Sequence, residues 1–354
     1  MNTLTALEPI LVLETSEPTR ESSLAANPKA HKPRIWTAIT TLFVAVIVGS
    51  LFTFLAGVAV GVGTGVIMGA QGADGPAIQA RIQEICQQPL PLLLLSLIPF
   101  QFGMAVVVLF AARRSKEPIK QRLGLVPQSG RTFGGFKLAT MAAFTLSIAW
   151  ATLIFSSLIV GPPPTDGPIA DIINDGSWWT ITLLSVILSV IPALVEESLF
   201  RGYLQRRFLQ RWSPAVAISV STLLFAVMHM DSLQHIIAVV PTGVVLGLLA
   251  YRTNSVKPGM LVHAVHNTGI VGFGALATVL SRHFGDEELG LLFIGMIGVL
   301  GLIGLPGVVS LLRSAKPSVA THIEPEPAVE TVSVRIRELT LPGYASDSQL
   351  ASAV

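Results

Sequence analysis

The chain alternates long apolar runs with short polar connections. About eight of these runs approach the roughly 20 apolar residues that a helix needs to cross the hydrocarbon core of a bilayer. A backbone that crosses a membrane must satisfy its own hydrogen bonds, so each run is predicted to be an α-helix. The pattern therefore predicts an all-α membrane bundle of about eight transmembrane helices, with the approximate limits 36–70, 90–112, 136–160, 178–208, 215–230, 235–251, 258–280 and 289–312.

The connections between these runs alternate in charge. Basic residues follow the second, fourth, sixth and eighth runs, whereas the intervening connections are acidic. Positively charged connections stay on the cytoplasmic side of a membrane, so this alternation predicts that both termini are cytoplasmic. The plasma membrane is the expected location. The basic residues are Arg113, Arg114, Lys116, Lys120, Arg122, Arg206, Arg207, Arg211, Arg252, Lys257, Arg313 and Lys316.

Polar segments flank the apolar runs. Residues 1–35 lack the short apolar core of a cleavable signal peptide, so they are predicted to be a cytoplasmic tail that precedes a retained anchor. Residues 313–354 are rich in Pro, Glu, Ser and Arg and are predicted to be a disordered cytoplasmic tail. The transmembrane bundle is thus expected to occupy residues 36–312.

Composition agrees with a membrane protein and narrows the chemistry. Hydrophobic residues make up 51% of the chain and charged residues only 12%, with a mean hydropathy of +0.67. Soluble domains carry roughly 25% charged residues. The net charge of +2 is too small to predict nucleic-acid binding, and the single cysteine, Cys86, excludes an internal disulfide and a multi-thiolate metal site.

The first run is too long for one upright helix, since about 35 residues at 1.5 Å each exceed a core of roughly 30 Å. Such a helix must tilt, break or protrude. Gly57, Gly61, Gly65 and Gly69 recur at every fourth position within it and form a stripe that allows another helix to approach closely. We expect this stripe to pack inside the bundle, with a homodimer contact as the alternative.

Two adjacent glutamates end the apolar part of the fourth run. An ionised carboxylate is costly in hydrocarbon, so acids at such a depth face a protein interior or a water-filled cavity. Glu197 lies four positions before Arg201 on the same helix face, which predicts an ion pair. Glu196, rotated by about 100° from its neighbour, is left free. Pro192, four positions before Glu196, can kink the helix or open room for water beside the acid.

The next helix is predicted to bring a histidine to the depth of the free glutamate. Ser213 is the expected N-cap, and Glu196 and His229 lie about 16 residues on either side of that turn, so an antiparallel hairpin aligns them. Phe225 shares the face of His229 and either walls a cavity or belongs to the core. Alone, His229 is equally consistent with an interfacial histidine beside Asp231.

The seventh run carries a second polar group. Pro258 predicts the start of its helix, after which His263 and Asn267 fall four positions apart on one face. An imidazole and a carboxamide there can bind a metal, hold a water or stabilise an oxyanion. His266 lies near the same face and is expected to be dispensable. His263 is expected to lie shallower than Glu196 unless the preceding connection dips into the bundle.

Three motifs thus follow one another within residues 178–280. They are Glu196-Glu197-x-x-x-Arg201, Phe225-x-x-x-His229 and His263-x-x-x-Asn267. Their order and spacing resemble the signature of the CAAX-type prenyl endopeptidase and bacteriocin-processing (CPBP, also called abortive-infection) family of intramembrane proteases. The first three runs, the last run and both tails carry no motif of that family.

The resemblance implies an α-bundle with a conical cavity that holds a water-activating glutamate. Carried over by position, the expected catalytic residues are Glu196, which activates the water, and His229, His263 and Asn267 around it, with Glu197 and Arg201 supporting them. The family is usually named as metalloproteases, and zinc accepts imidazole and carboxylate ligands, so His229, His263 and Glu196 are the expected ligands of a zinc ion. The sequence lacks His-Glu-x-x-His, so a metal-free mechanism stays open as the alternative.

The predicted function is hydrolysis of a peptide bond in a membrane-associated or prenylated peptide, or in a membrane protein, with lipid as the surrounding partner. Such hydrolysis needs a base, an oxyanion donor and an acid, which the glutamate, histidine and asparagine side chains can supply. The alternative is a non-catalytic membrane scaffold or a transporter that uses the cluster as a proton relay. Transporters commonly repeat their halves, and the first three runs contain no matching motif, so the protease is favoured.

Overall fold

The computed structural model describes residues 35–114, 117–126, 133–161 and 168–314, and every regular element in these ranges is helical. The predicted all-α fold is confirmed. The predicted tails fall outside the described residues, apart from residue 35 of the first and residues 313–314 of the second. The helices are α1 (Ile35–Ala70), α2 (Gly75–Gln87), α3 (Pro89–Arg113), α4 (Ile119–Arg122), α5 (Gly135–Val160), α6 (Pro168–Asp175), α7 (Trp178–Glu196), the π-helix π1 (Glu197–Gln205), α8 (Arg206–Leu209), α9 (Pro214–Val227), α10 (Leu233–Thr253), α11 (Lys257–Leu280) and α12 (Asp286–Arg313).

Within the described ranges, 7 helices are long and apolar enough to cross a membrane. They are α1, α3, α5, α7 with its extension through π1 and α8, α10, α11 and α12. The fifth predicted run is the exception. Helix α9 has 14 residues, or about 21 Å at 1.5 Å per residue, which is short of the roughly 30 Å core. Helix α9 is therefore not one of the membrane-spanning helices, and His229 lies two residues beyond its last residue, Val227.

Helix α1 is one continuous helix of 36 residues, or about 54 Å in length. Its close contact with α3 lies at Gly49 and Gly103, where a Cβ added to Gly103 would lie 2.7 Å from the Cα of Gly49. The predicted packing of the glycine stripe inside the bundle is wrong. Among the residues that the structure describes, added Cβ atoms at Gly57, Gly61 and Gly69 would meet nothing within 4 Å, and one at Gly65 would meet only Ile78 at 3.9 Å. The homodimer contact stays a prediction.

The basic connections meet at one end of the bundle. Arg207, just after π1, donates a hydrogen bond to Thr37 in the first turn of α1, and Arg206 donates to Asn254 at the end of α10. The connections that follow the fourth and sixth runs therefore share an end of the bundle with the start of α1, as the charge pattern predicts. The side of the membrane that this end faces stays a prediction.

Helix α7 passes without a break into π1, which packs against α1, α3, α9 and α10. The π1 side chains Leu199, Phe200 and Leu204 belong to a hydrophobic core cluster shared with α1 and α3. Short π-helical segments are rare in proteins, and those that occur are often found at functional sites. Here the segment carries both Glu197 and Arg201, so the core that packs around π1 also fixes the position of these charges.

Candidate active site

A buried ion pair lies at the centre of the site. Nη1 of Arg201 donates to Oε1 of Glu197 at 2.8 Å, and both side chains have 0% exposure. Nη2 of Arg201 donates to the carbonyl oxygen of Gly243 at 3.2 Å, and the guanidinium carbon lies 4.3 Å from the centroid of the Phe225 ring. The predicted pair between Glu197 and Arg201 is confirmed. Its burial means that removal of either partner leaves an uncompensated charge in the bundle.

His263 connects this pair to the second glutamate. Its Nδ1 lies 3.0 Å from Oε1 of Glu197. An ionised carboxylate only accepts hydrogen bonds, so Nδ1 carries the proton and donates it, which leaves Nε2 as an acceptor. Nε2 lies 3.9 Å from Oε2 of Glu196. One buried imidazole thus bridges the two neighbouring carboxylates.

The position of the N-terminal turn of α11 sets how deep His263 lies in the bundle. Val256, which precedes this helix, is buried and donates its N–H to the carbonyl oxygen of Gly124 at 3.0 Å. Gly259 approaches Glu197 so closely that an added Cβ would lie 3.1 Å from Oε2 of the carboxylate. The connection before α11 therefore dips into the bundle, and His263 is not too shallow to reach Glu196.

Glu196 has a different environment from its neighbour. Its Oε1 accepts a hydrogen bond from Nε2 of Gln101 at 2.8 Å, and its side chain is 13% exposed, unlike that of Glu197. The sequence reasoning missed Gln101. The available signal was an amide side chain in the middle of the apolar run 90–112, where a polar group needs a partner.

His229 lies on the wall of a cavity of about 590 Å³ between α1, α3 and the connection from α9 to α10. Its Nδ1 lies 3.0 Å from the carbonyl oxygen of Phe225. A carbonyl only accepts, so Nδ1 donates and Nε2 is unprotonated in the neutral ring. The Phe225 ring contacts the imidazoles of His229 and His263, with centroids 4.8 and 5.8 Å away. Phe225 therefore joins the cavity wall to the buried pair.

Asp231 pairs with His235 and not with His229. Nδ1 of His235 lies 2.8 Å from each carboxylate oxygen of Asp231, and the rings of His229 and His235 are 5.0 Å apart between centroids. The sequence reasoning missed His235, although its spacing of four from Asp231 predicts such a contact. A second carboxylate and imidazole pair thus lies at the rim of the cavity.

Asn267 contacts the backbone of α7. Its Nδ2 donates to the carbonyl oxygen of Leu188 at 3.1 Å, and the adjacent Thr268 donates to Ser189 at 2.9 Å. Leu188 is four positions before Pro192, which has no N–H to offer that carbonyl. The asparagine therefore satisfies an acceptor that the proline frees. Its predicted catalytic role stays a prediction.

His266 is more deeply enclosed than the sequence indicates. It is 8% exposed, and its Nδ1 has no hydrogen-bond partner among the residues that the structure describes. It lies on α11 one turn beyond His263. Its predicted dispensability for catalysis stays a prediction, but its burial indicates a contribution to packing.

The expected zinc ligands do not converge. Among the described residues, no group of three His, Cys, Asp or Glu side chains is placed to hold a metal ion. His263 lies beside Glu196 and Glu197, whereas His229 lies on the wall of the cavity beside His235. The donor set of His229, His263 and Glu196 therefore does not fit a zinc ion, and the chemistry below uses no metal.

Comparison with known families agrees with the resemblance seen in the motifs. The family described as Type II CAAX prenyl endopeptidase Rce1-like matches residues 177–269. This stretch runs from the start of α7 into α11 and contains all three motifs. Neither the curated proteins nor the solved structures gave a match.

Proposed function

We propose that this chain is an intramembrane endopeptidase that hydrolyses peptide bonds with water activated by Glu196. The gap of 3.9 Å between Oε2 of Glu196 and Nε2 of His263 carries this proposal. Polar atoms separated by more than about 3.5 Å are commonly bridged by a water molecule. A water in this gap would contact the carboxylate of Glu196, which acts as the base, and Nε2 of His263. Glu197 accepts the hydrogen bond from Nδ1 of the same imidazole.

The two glutamates have separate tasks in this reaction. Glu196 takes a proton from the water as the water oxygen attacks the carbonyl carbon of the scissile bond. The tetrahedral intermediate then collapses, the C–N bond breaks, and Glu196 returns the proton to the leaving nitrogen. Glu197 stays ionised beside Arg201 and orients His263. One water is consumed, and the enzyme regains its starting protonation state.

We assign His229 to a contact with the substrate backbone. The carbonyl of Phe225 accepts the proton of Nδ1, so the neutral ring presents Nε2 as an acceptor to an N–H group of the substrate. His229 also lines the cavity between α1 and α3, which is the space that we propose for the substrate. Asn267, to which the family resemblance gives a place near the water, is engaged with the carbonyl of Leu188.

The substrate class that we propose is a membrane-associated polypeptide, including one that ends in a prenylated cysteine followed by three residues. Two observations support this class. The matched family is one of CAAX prenyl endopeptidases, and the cavity wall on α3 is largely apolar, with Leu93, Leu97 and Phe100. An apolar wall favours an apolar segment or a lipid-modified chain over a charged peptide.

The test uses purified full-length protein in liposomes and a quenched fluorescent peptide that ends in a farnesylated cysteine and three further residues. We expect cleavage by the wild type, identified by mass spectrometry of both products. Glu196→Gln should lower kcat at least about 10³-fold, because it removes the base and keeps the side-chain shape. The matched control is Glu287→Gln, which makes the same change on an exposed residue of α12 and should retain the wild-type rate.

Cleavage by Glu196→Gln at the wild-type rate would remove this residue from the mechanism. Cleavage of the unprenylated peptide at the same rate as the farnesylated one would overturn the lipid-modified part of the substrate class and leave the endopeptidase. A wild-type protein that cleaves neither peptide, but acidifies the liposome interior in a Glu196-dependent manner, would favour the proton-relay alternative.

A further inference from the structure

Among the described residues, Gln101 is the one partner of Glu196 that comes from outside the matched family region. It lies on α3, is 3% exposed, and donates through Nε2 to Oε1 of Glu196 at 2.8 Å. Its own Oε1 is buried and has no hydrogen-bond partner among the described residues. An amide in an apolar transmembrane helix is unfavourable unless it is paired. The carboxylate of Glu196 is thus the protein group that fixes its orientation.

The contacts of Glu196 divide between its two oxygens. Gln101 binds Oε1, and Oε2 faces Nε2 of His263 across 3.9 Å. Rotation of the carboxylate about its last torsion angle would break the first contact and turn Oε2 away from the second. The terminal torsion of a glutamate is broad when nothing holds it. A donor on Oε1 therefore sets the direction of the oxygen that faces the imidazole.

The neighbouring glutamate has a partner of another kind. Glu197 is held by the cation of Arg201 at 2.8 Å, and a cation strongly opposes the uptake of a proton by a carboxylate. Gln101 is neutral, so it orients Glu196 without cancelling its charge. The two partners thus distinguish two acids that are adjacent in the sequence.

We propose that Gln101 is a positioning residue that holds Glu196 in the orientation required of a general base, an inference that rests on the proposed function. Gln101 acts through Glu196 and takes part in no covalent step. Because it lies outside the family match, it represents a contribution of α3 to the site. Phe100, the residue before it, lines the cavity, so the same turn of α3 contacts both the base and the space for the substrate.

The variant that tests this role is Gln101→Met, which keeps the length of the side chain and removes the donor. Its matched control is Gln205→Met. Gln205 is 1% exposed and bonds to the carbonyl of Gly247 at 2.9 Å and to Ser221 at 3.2 Å, so it is an equally buried glutamine with no contact to Glu196. A second variant, Gln101→Asn, keeps an amide but shortens its reach by one methylene group, and it serves if the methionine variant does not fold.

We expect Gln101→Met to lower kcat on the farnesylated peptide by about 10- to 100-fold with KM changed less than about twofold, as for the loss of one hydrogen bond to a charged group. The acidic limb of its pH–rate profile should move to higher pH, because a carboxylate that accepts fewer hydrogen bonds holds its proton more tightly. Gln205→Met should lose stability and keep the wild-type position of that limb. Gln101→Asn should move the limb in the same direction as the methionine variant.

Infrared titration of the same proteins provides a readout that needs no substrate. The carboxylic acid band assigned to Glu196 by its loss in Glu196→Gln should appear at higher pH in Gln101→Met than in the wild type and in Gln205→Met. An unchanged kcat and an unchanged limb in folded Gln101→Met would overturn the positioning role while the proposed function stands. Absence of cleavage by the wild type would overturn the proposed function, and the infrared shift would then still decide whether Gln101 controls Glu196.

Discussion

Asn267 on α11 donates a hydrogen bond to the carbonyl oxygen of Leu188 on α7 at 3.1 Å. In a regular α-helix this oxygen would accept the N–H of residue 192, but residue 192 is a proline. A helix that breaks its own hydrogen-bond ladder one turn before Glu196 is thus completed by a side chain from another helix. The contact also links α7, which ends at Glu196, to α11, which carries His263.

Asn267→Ala should therefore lower the free energy of unfolding by about 1–3 kcal/mol, because it leaves the carbonyl of Leu188 without a partner. In a Pro192→Ala background, residue 192 regains its N–H and can close the helix. The cost of Asn267→Ala should then fall by more than about 0.5 kcal/mol, which a double-mutant cycle of unfolding in detergent measures. Equal costs in the two backgrounds would mean that the asparagine does not compensate for the proline.

Arg201→Ala should be one of the most destabilising substitutions in the chain. It leaves the fully buried carboxylate of Glu197 without its counter-charge, and breaking a buried ion pair typically lowers the free energy of unfolding by about 3–5 kcal/mol. Denaturant or SDS titration, followed by tryptophan fluorescence, measures the change in stability. Glu197→Ala should act in the same direction, since it strands the guanidinium.

Arg81→Ala is the matched control for this experiment. Arg81 and Glu84 form an ion pair of 2.7 Å whose side chains are about half exposed. Exposed pairs contribute between about 0 and 1 kcal/mol. If Arg201→Ala lowers the free energy of unfolding no more than Arg81→Ala does, the buried ion pair of Glu197 and Arg201 does not stabilise the bundle as proposed.

The predictable parts of this site are those set by short separations along the chain. Glu197 and Arg201 are four positions apart, so a helical spacing alone predicts their contact. The bond from His263 to Glu197 spans 66 positions, and the bond from Gln101 to Glu196 spans 95. Contacts of that kind depend on which helices become neighbours. For His263 the motif order supplied this information, whereas nothing in the sequence supplied it for Gln101.

In the fold, too, the features set by nearby residues could be predicted, and those set by packing between helices could not. Hydropathy predicts helices that cross a membrane because each must satisfy its backbone alone, and it places α3, α5, α10, α11 and α12 correctly. It does not predict that the residues from Glu197 to Gln205 form a π-helix, which depends on packing around their side chains. The spacing of the glycines in a stripe likewise does not predict which helix packs against them. The contact of α1 with α3 uses Gly49, eight positions before the first glycine of the stripe.

Substitution of the two histidines on α11 should have different effects. His263→Ala removes the ring that faces both glutamates, so we expect it to abolish cleavage in protein that still folds. His266→Ala should lower stability, because it removes a buried side chain, and should retain most of kcat per folded molecule. Activity normalised to the folded fraction separates the two cases. Loss of kcat in His266→Ala with full activity in His263→Ala would show that the motif was assigned to the wrong histidine.

Removal of metal tests the chemistry that the ligand geometry disfavours. The described side chains form no group of three that could hold a metal. We therefore expect protein that is stripped with a strong chelator, and shown by elemental analysis to contain well under one equivalent of zinc, to keep its full rate on the farnesylated peptide. Added zinc should not raise that rate.

A resident catalytic zinc would give the opposite result: the chelator would abolish activity, and added zinc would restore it. Zinc would then be bound at close to one equivalent in the wild type and at much less in His263→Ala. That outcome would mean that His229, His263 and Glu196 converge in the working enzyme, and it would replace the direct glutamate mechanism with one in which the metal holds the water.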